Sequence, residues 1–147
     1  MFTGIYRHSL DSKNRVTVPS KFLQAISDPA EKTQFYVTLG LDSCLFLFTL
    51  SQFHEIATQV KKSSLATPAA RNFARLFFAQ AGRCDLDTAG RILIPEELKQ
   101  QAGLVKDVVW VGTWDRAELW AQDRWASLSE VSSRDYTANA AGTFDRQ

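Results

Sequence analysis

Sulfur and imidazole are scarce in this sequence: one Met, two Cys and two His among 147 residues. Cys44 and Cys84 stand far apart and outside any CxxC spacing, so they spell neither a zinc knuckle nor a dithiol redox motif. His8 and His54 lack partners at metal-ligand spacing, so neither a metal nor a cofactor is expected. No apolar run approaches the ~20 residues of a membrane-spanning helix. The start "MFTGIYRHSL" has no long apolar segment behind a basic end, which predicts no secretory leader and reduced thiols in a cytoplasm. P-loop, G-x-G-x-x-G and G-x-S-x-G motifs are all missing, and Glu96 and Glu97 fall at a helix start, where acids favour the dipole. The chain therefore reads as a non-enzyme.

Acid is also scarce at one end. Asp11 is the only carboxylate in the first 24 residues. Residues 1–84 hold 10 Lys/Arg against 5 Asp/Glu, and residues 85–147 hold 7 against 11, although the whole chain is only +1. A molecule with one positive face suits a polyanionic partner.

A repeat is present instead. "LDSKNRVTVPSKF" (10–22) returns 76 positions later as "LDTAGRILIPEEL" (86–98), with Asp, Arg and Pro in register. Each copy reads as a strand, turn, strand, short helix, strand, turn, strand and helix. "VTV" and "ILI" are rich in β-branched residues, and Pro19 and Pro95 mark where a strand stops and a helix starts. Gly103 closes the short helix of the second copy. After the first copy, Phe53, Ile56, Ala57 and Val60 make a helical stripe that Ser51 or Thr49 caps, and Pro68 opens another helix. The expected division is a first repeat over 1–60, a helical connection over 61–82, a second repeat over 83–131 and a mobile tail over 132–147.

Within each copy the four residues Asp11–Asn14, or Asp87–Gly90, form a hairpin turn. Gly90 permits a left-handed backbone and Asn14 is the next best residue for it. The Asp carboxylate can accept the N–H groups of its turn and can pair with the Arg four residues on. Asp11, Asp87 and Arg91 are thus expected to lock turns. Arg15 has basic company in Arg7, Lys13 and Lys21, whereas Arg91 is surrounded by Asp85, Asp87, Glu96 and Glu97. Phosphates favour the first set. Arg15 is therefore assigned a base edge and Arg7, Lys13 and Lys21 the phosphates. Asn14 either holds its turn or reaches a base.

The stretch 86–111 resembles the AbrB-type swapped-hairpin DNA-binding element. The tandem copies, the start "MFTGIYRHSLDSKNRVTVPSKF" and the joining "RNFARLFFAQAGRCDLD" resemble the MraZ family of bacterial transcriptional regulators, over about residues 1–128. The resemblance implies an α+β fold: a β-rich, barrel-like core from two pseudo-symmetric repeats, each lending a hairpin to the other, with short peripheral helices. It also implies a ring-shaped homo-oligomer on G-rich direct repeats in double-stranded promoter DNA of the division and cell-wall gene cluster, in the cytoplasm at the nucleoid. Its D-x-x-x-R motif falls on Asp11, Arg15, Asp87 and Arg91; Asn14 departs from the usual Gly. Phe73, Leu76 and Phe77 of the joining helix form an apolar stripe suited to assembly, and of the four Trp in the second copy most are expected in the core and one or two at a subunit interface. An antitoxin-like or scaffolding module built on the same hairpins is the alternative.

Overall fold

The computed structural model describes residues 1–144. The first copy runs β1 (Ile5–Ser9), β2 (Arg15–Thr17), α1 (Ser20–Ala25), a 3-10 turn (Pro29–Lys32), β3 (Gln34–Leu39), β4 (Leu45–Thr49) and α2 (Leu50–Ser63). After α3 (Pro68–Ala79), the second runs β5 (Gly82–Asp85), β6 (Arg91–Leu93), α4 (Glu96–Gln101), β7 (Asp107–Gly112), β8 (Ala117–Ala121) and α5 (Gln122–Arg134), and α6 (Tyr136–Phe144) follows. The order of elements is the one the repeat spells.

Six strands form one antiparallel sheet in the order β1-β7-β8-β4-β3-β5, and β2 and β6 pair as a separate two-stranded ribbon. Equivalent strands of the two copies occupy equivalent places from opposite ends of the sheet. The edges are exchanged: β1 pairs with β7 (Tyr6 opposite Trp110), and β5 pairs with β3 (Phe35 opposite Cys84). The hairpins read within each copy are therefore not ladders of their own. Each turn is closed by two backbone bonds, from the Asp11 N–H to the Arg15 carbonyl (2.9 Å) and the Asn14 N–H to the Asp11 carbonyl (3.1 Å), and from the Asp87 N–H to the Arg91 carbonyl (2.8 Å) and the Gly90 N–H to the Asp87 carbonyl (3.0 Å), and the strands then diverge to different sheets. Tertiary packing decides this, because "VTV" and "ILI" bury one face only when they cover the large sheet.

The strands alternate between two apolar layers. Leu45 and Leu47 of β4, Val108 and Trp110 of β7 and Leu119 of β8 face a core closed by Val16, Val18, Ile92 and Ile94 of the ribbon segments and by Phe22 and Leu98 of α1 and α4. Phe46, Phe48, Val109 and Trp120 face the other way, onto Phe53 of α2 and Phe77 of α3, with Ile56, Ala57 and Val60 at the edge. The Trp110 indole N–H donates to the Thr17 carbonyl (2.9 Å), which fastens the ribbon to the sheet. Thr49, not Ser51, caps α2: its hydroxyl accepts from the Gln52 N–H and Gln52 returns the bond. Gly103 takes φ +64 just past α4.

Two expectations change. In α3 the buried residues are Ala74 and Phe77, while Phe73, Leu76 and Phe78 are exposed, because the sheet takes only a narrow strip of this helix. The segment from residue 132 onward, expected as a mobile tail, carries helix: α5 continues to Arg134 and α6 spans Tyr136–Phe144, with Ala138, Ala140 and Ala141 as strong helix formers. Neither helix buries a residue, and 145–147 of that expected tail lie outside the described residues. Of the tryptophans, Trp110 and Trp120 are buried, Trp125 packs on Trp120, and Trp114 is 68% exposed.

Candidate nucleic-acid interface

The two turns are built alike. Asp11 Oδ1 accepts the N–H of Lys13 (2.9 Å) and of Arg15 (2.8 Å), and Oδ2 accepts the Arg15 Nε–H (2.8 Å). Asp87 Oδ1 accepts the N–H of Ala89 (2.9 Å) and of Arg91 (2.8 Å), and Oδ2 accepts the Arg91 Nε–H (2.9 Å). A carboxylate two residues before one donor and four before the next fits only a chain that reverses sharply. Asn14 (φ +62) and Gly90 (φ +79) supply that reversal from the left-handed region.

Holding Nε from the side has a chemical consequence. Among the described residues no hydrogen bond engages the two Nη groups of Arg15, and its side chain is one-third exposed. That is the end of a guanidinium that forks onto the O6 and N7 acceptors of guanine.

The ribbon brings the turns together. Arg15 lies opposite Leu93 and Arg91 opposite Thr17, and Arg91 Nη1 comes within 3.9 Å of Asp11 Oδ2. The Val18 N–H donates to the Gly90 carbonyl (2.9 Å) and the Ile94 N–H to the Asn14 carbonyl (2.8 Å), one bond in each direction. Asp11, Arg15, Asp87 and Arg91 form one cluster, not two distant sites. Asn14 joins it through a contact that the sequence reading missed: its Nδ2 donates to Glu96 Oε2 at 2.6 Å. The signal was available, since Glu96 directly follows the repeated Pro95, but a helix-start acid reads by itself as a dipole partner.

The remaining candidates are spread more widely. Lys13 is exposed within the turn and Lys21 is exposed in the first turn of α1. Arg7 is exposed on β1, but on the strand face opposite Tyr6, whose ring packs edge-on against Phe22; it looks away from the ribbon side. The two copies differ in charge at matching positions: Lys13 and Lys21 are replaced by Ala89 and Glu97, and Glu97 is bonded to Gln80 (3.1 Å). Among the described residues no group of three or more His, Cys, Asp or Glu is placed to hold a metal ion. Burial pushes the thiols of Cys44 and Cys84 up to about 12 and about 11, so neither is a thiolate near neutral pH.

The Arg15 backbone N–H, ahead of its guanidinium and the Lys13 N–H, holds the Asp11 carboxyl below the ordinary range, and Arg91 does the same for Asp87. The Asn14 amide, ahead of the Gln100 amide and the Lys99 charge, lowers Glu96. These groups ionise more readily folded than unfolded. Their contribution to stability is present above the unfolded carboxylate range, about pH 4–4.5, and is lost as pH falls through the lower folded values. The gap in Tm between the wild type and Asp87→Asn should therefore be constant above about pH 5 and close below about pH 4. A gap that persisted unchanged to pH 2 would show that the charge of Asp87 contributes nothing.

The fold and the paired turns define a class: two exchanged strand–turn–strand units in one chain, whose Asp–Arg turns meet across a two-stranded ribbon. The family model described as "MraZ protein, putative antitoxin-like" matches twice, over residues 1–76 and 77–147. A protein of Symbiobacterium thermophilum named "Transcriptional regulator MraZ" is 40% identical over 134 residues, 91% of this chain and 94% of that one. Proteins of the same name from Finegoldia magna and Ligilactobacillus salivarius are 39% and 37% identical, each over 99% of this chain and 98% of theirs. The chain belongs to the MraZ family.

Proposed function

We propose that this protein is a sequence-specific, non-enzymatic DNA-binding regulator of transcription that acts in the cytoplasm at the nucleoid. In this reading it binds G-rich direct repeats in the promoter of the division and cell-wall gene cluster as a ring of identical subunits. The observation that carries the reading is the Arg15 turn: a guanidinium held by Nε, with its Nη end open, in the copy that also has Lys13 and Lys21. Arg15 reads a base, Lys13 and Lys21 hold phosphates, and Asp11, Asp87 and Arg91 keep both turns in shape. Arg7 serves a phosphate only where DNA or a neighbouring subunit's DNA passes the outer face of β1. The relatives' shared name supports the regulatory role. The family description "antitoxin-like" favours a second reading, in which the same turns meet a protein.

Parallel copies in a ring match tandem sites spaced by about one helical turn, ~10 bp. Inserting five base pairs between two such sites turns the second to the far side of the duplex. In a gel shift with DNA upstream of the protein's own gene, the insertion should weaken binding at least tenfold. Tight binding to that DNA with no loss on insertion would refute the tandem-site reading, and no binding at all would favour the protein partner.

A further inference from the structure

One groove and one projection on the helix-covered side of the molecule are unaccounted for by the turns. The groove is a cavity of about 290 Å³ walled by Leu41, Phe46, Phe48, Ile56, Val60 and Phe73. Glu55 and Asp115 stand on its rim, and an adjoining depression that shares both adds Asp28, Glu31 and the ring of Trp114. Four carboxylates there face Arg116 and the Met1 amine, so the rim is acidic. Arg116 is already engaged by Asp115 (3.1 Å) and Glu118 (3.5 Å).

The projection is the α2–α3 loop. Leu65 at its tip is 81% exposed, and Lys61, Arg71 and Arg75 surround it, with Lys62 next in sequence. Among the described residues none of these four cations is in an ion pair, and neither loop nor α3 carries an acid. A solvent-facing leucine inside a basic collar and an apolar groove inside an acidic rim are complementary in both polarity and charge. The two linings share no residue, so one chain can offer both at once.

We propose that the Leu65 loop of one subunit seats in the Leu41–Phe73 groove of the next. The contact joins two different surfaces of the same protein, so subunits that each engage two neighbours through it close head to tail into a ring or run on as a filament. This inference rests on the ring in the proposed function and names the surfaces that build it. Trp114 supports the groove as an interface. It is held at φ +73, a costly conformation for a large side chain, by two backbone bonds to Phe2 (2.7 and 3.0 Å), and this displays its ring outward beside Asp115.

The test uses two variants of the full chain, each altered at exposed residues. Leu65→Asp spoils the projection; Leu41→Arg combined with Glu55→Lys spoils the groove. Both should keep the wild-type circular dichroism, and light scattering at micromolar concentration should report single chains for each, against a multimer for the wild type. Mixed one to one, the two should form a dimer and nothing larger, because only one intact projection and one intact groove remain to meet. A wild-type-sized assembly from either variant alone would overturn the inference while leaving the ring reading standing. Failure of the folded variants to form a dimer on mixing would also overturn it. A monomeric wild type would overturn both and would leave the groove to another partner.

Discussion

Arg15→Ala is expected to abolish specific DNA binding while leaving the fold intact. The side chain lies at a turn, one-third exposed and outside the buried apolar core, so its removal takes nothing from that core. What disappears is the open Nη end to which the proposed function gives a base, a contact worth about 1–3 kcal/mol for each engaged subunit. In the proposed ring several subunits engage one promoter, so the losses multiply there, and a gel shift should show no specific complex at concentrations that saturate the wild type. Arg91→Ala is the comparison. It removes a guanidinium of the same geometry from the copy with Ala89 and Glu97 in place of Lys13 and Lys21, and it takes away the 3.9 Å contact to Asp11. More binding should survive, and the loss should show as a lower Tm. If folded Arg91→Ala loses binding and Arg15→Ala keeps it, the second copy, not the first, faces DNA.

Phe22→Ala should have the largest effect on stability. Phe22 is almost fully buried, and its ring packs at 5.0 Å on Phe2, at 5.2 Å on Tyr6 and at 6.2 Å on Trp110. It joins α1, the N-terminal segment, the exchanged strand β1 and its partner β7, so the surroundings cannot easily collapse into the space left behind. A loss of about 3–5 kcal/mol follows. For a domain of this size that is a fall in Tm of roughly 10 °C. Leu98, the matching residue of α4, is just as buried, and Leu98→Ala should cost about 3 kcal/mol. A Tm within 2 °C of the wild type for Phe22→Ala would mean that α1 is not anchored as described.

The sequence made the repeat, both turns, the proline-marked helix starts and the Phe53–Val60 stripe readable, because each rests on a local preference: left-handed φ at Asn14 and Gly90, a missing N–H at Pro19 and Pro95, a 3.6-residue period in α2. The edge exchange could be named by resemblance but not read from the residues. Whether β1 lies beside β7 or beside β2 depends on which pairing buries Tyr6 and Leu10, and period-2 alternation is the same in either case. The Asn14–Glu96 bond was hidden for the same reason, since it exists only once the ribbon has set one copy against the other. In α3, three candidate apolar positions compete for one narrow contact, and the helical period alone does not choose Phe77 over Phe73 or Leu76.

The edge exchange also governs how the chain must be made. The partner of Ile5 is Val111, so the first strand to leave the ribosome has nothing to pair with until the seventh has followed it. At ~5–20 residues per second, synthesis of the ~100 residues between them takes on the order of 5–20 s. Throughout that time the nascent first half carries an unpaired β1 and an uncovered β3–β4 pair whose Phe35, Val37, Leu45 and Leu47 have no ribbon over them. Such a half-made chain exposes apolar surface and an unpaired strand edge, and two halves emerging from neighbouring ribosomes on one message can complete each other instead of themselves.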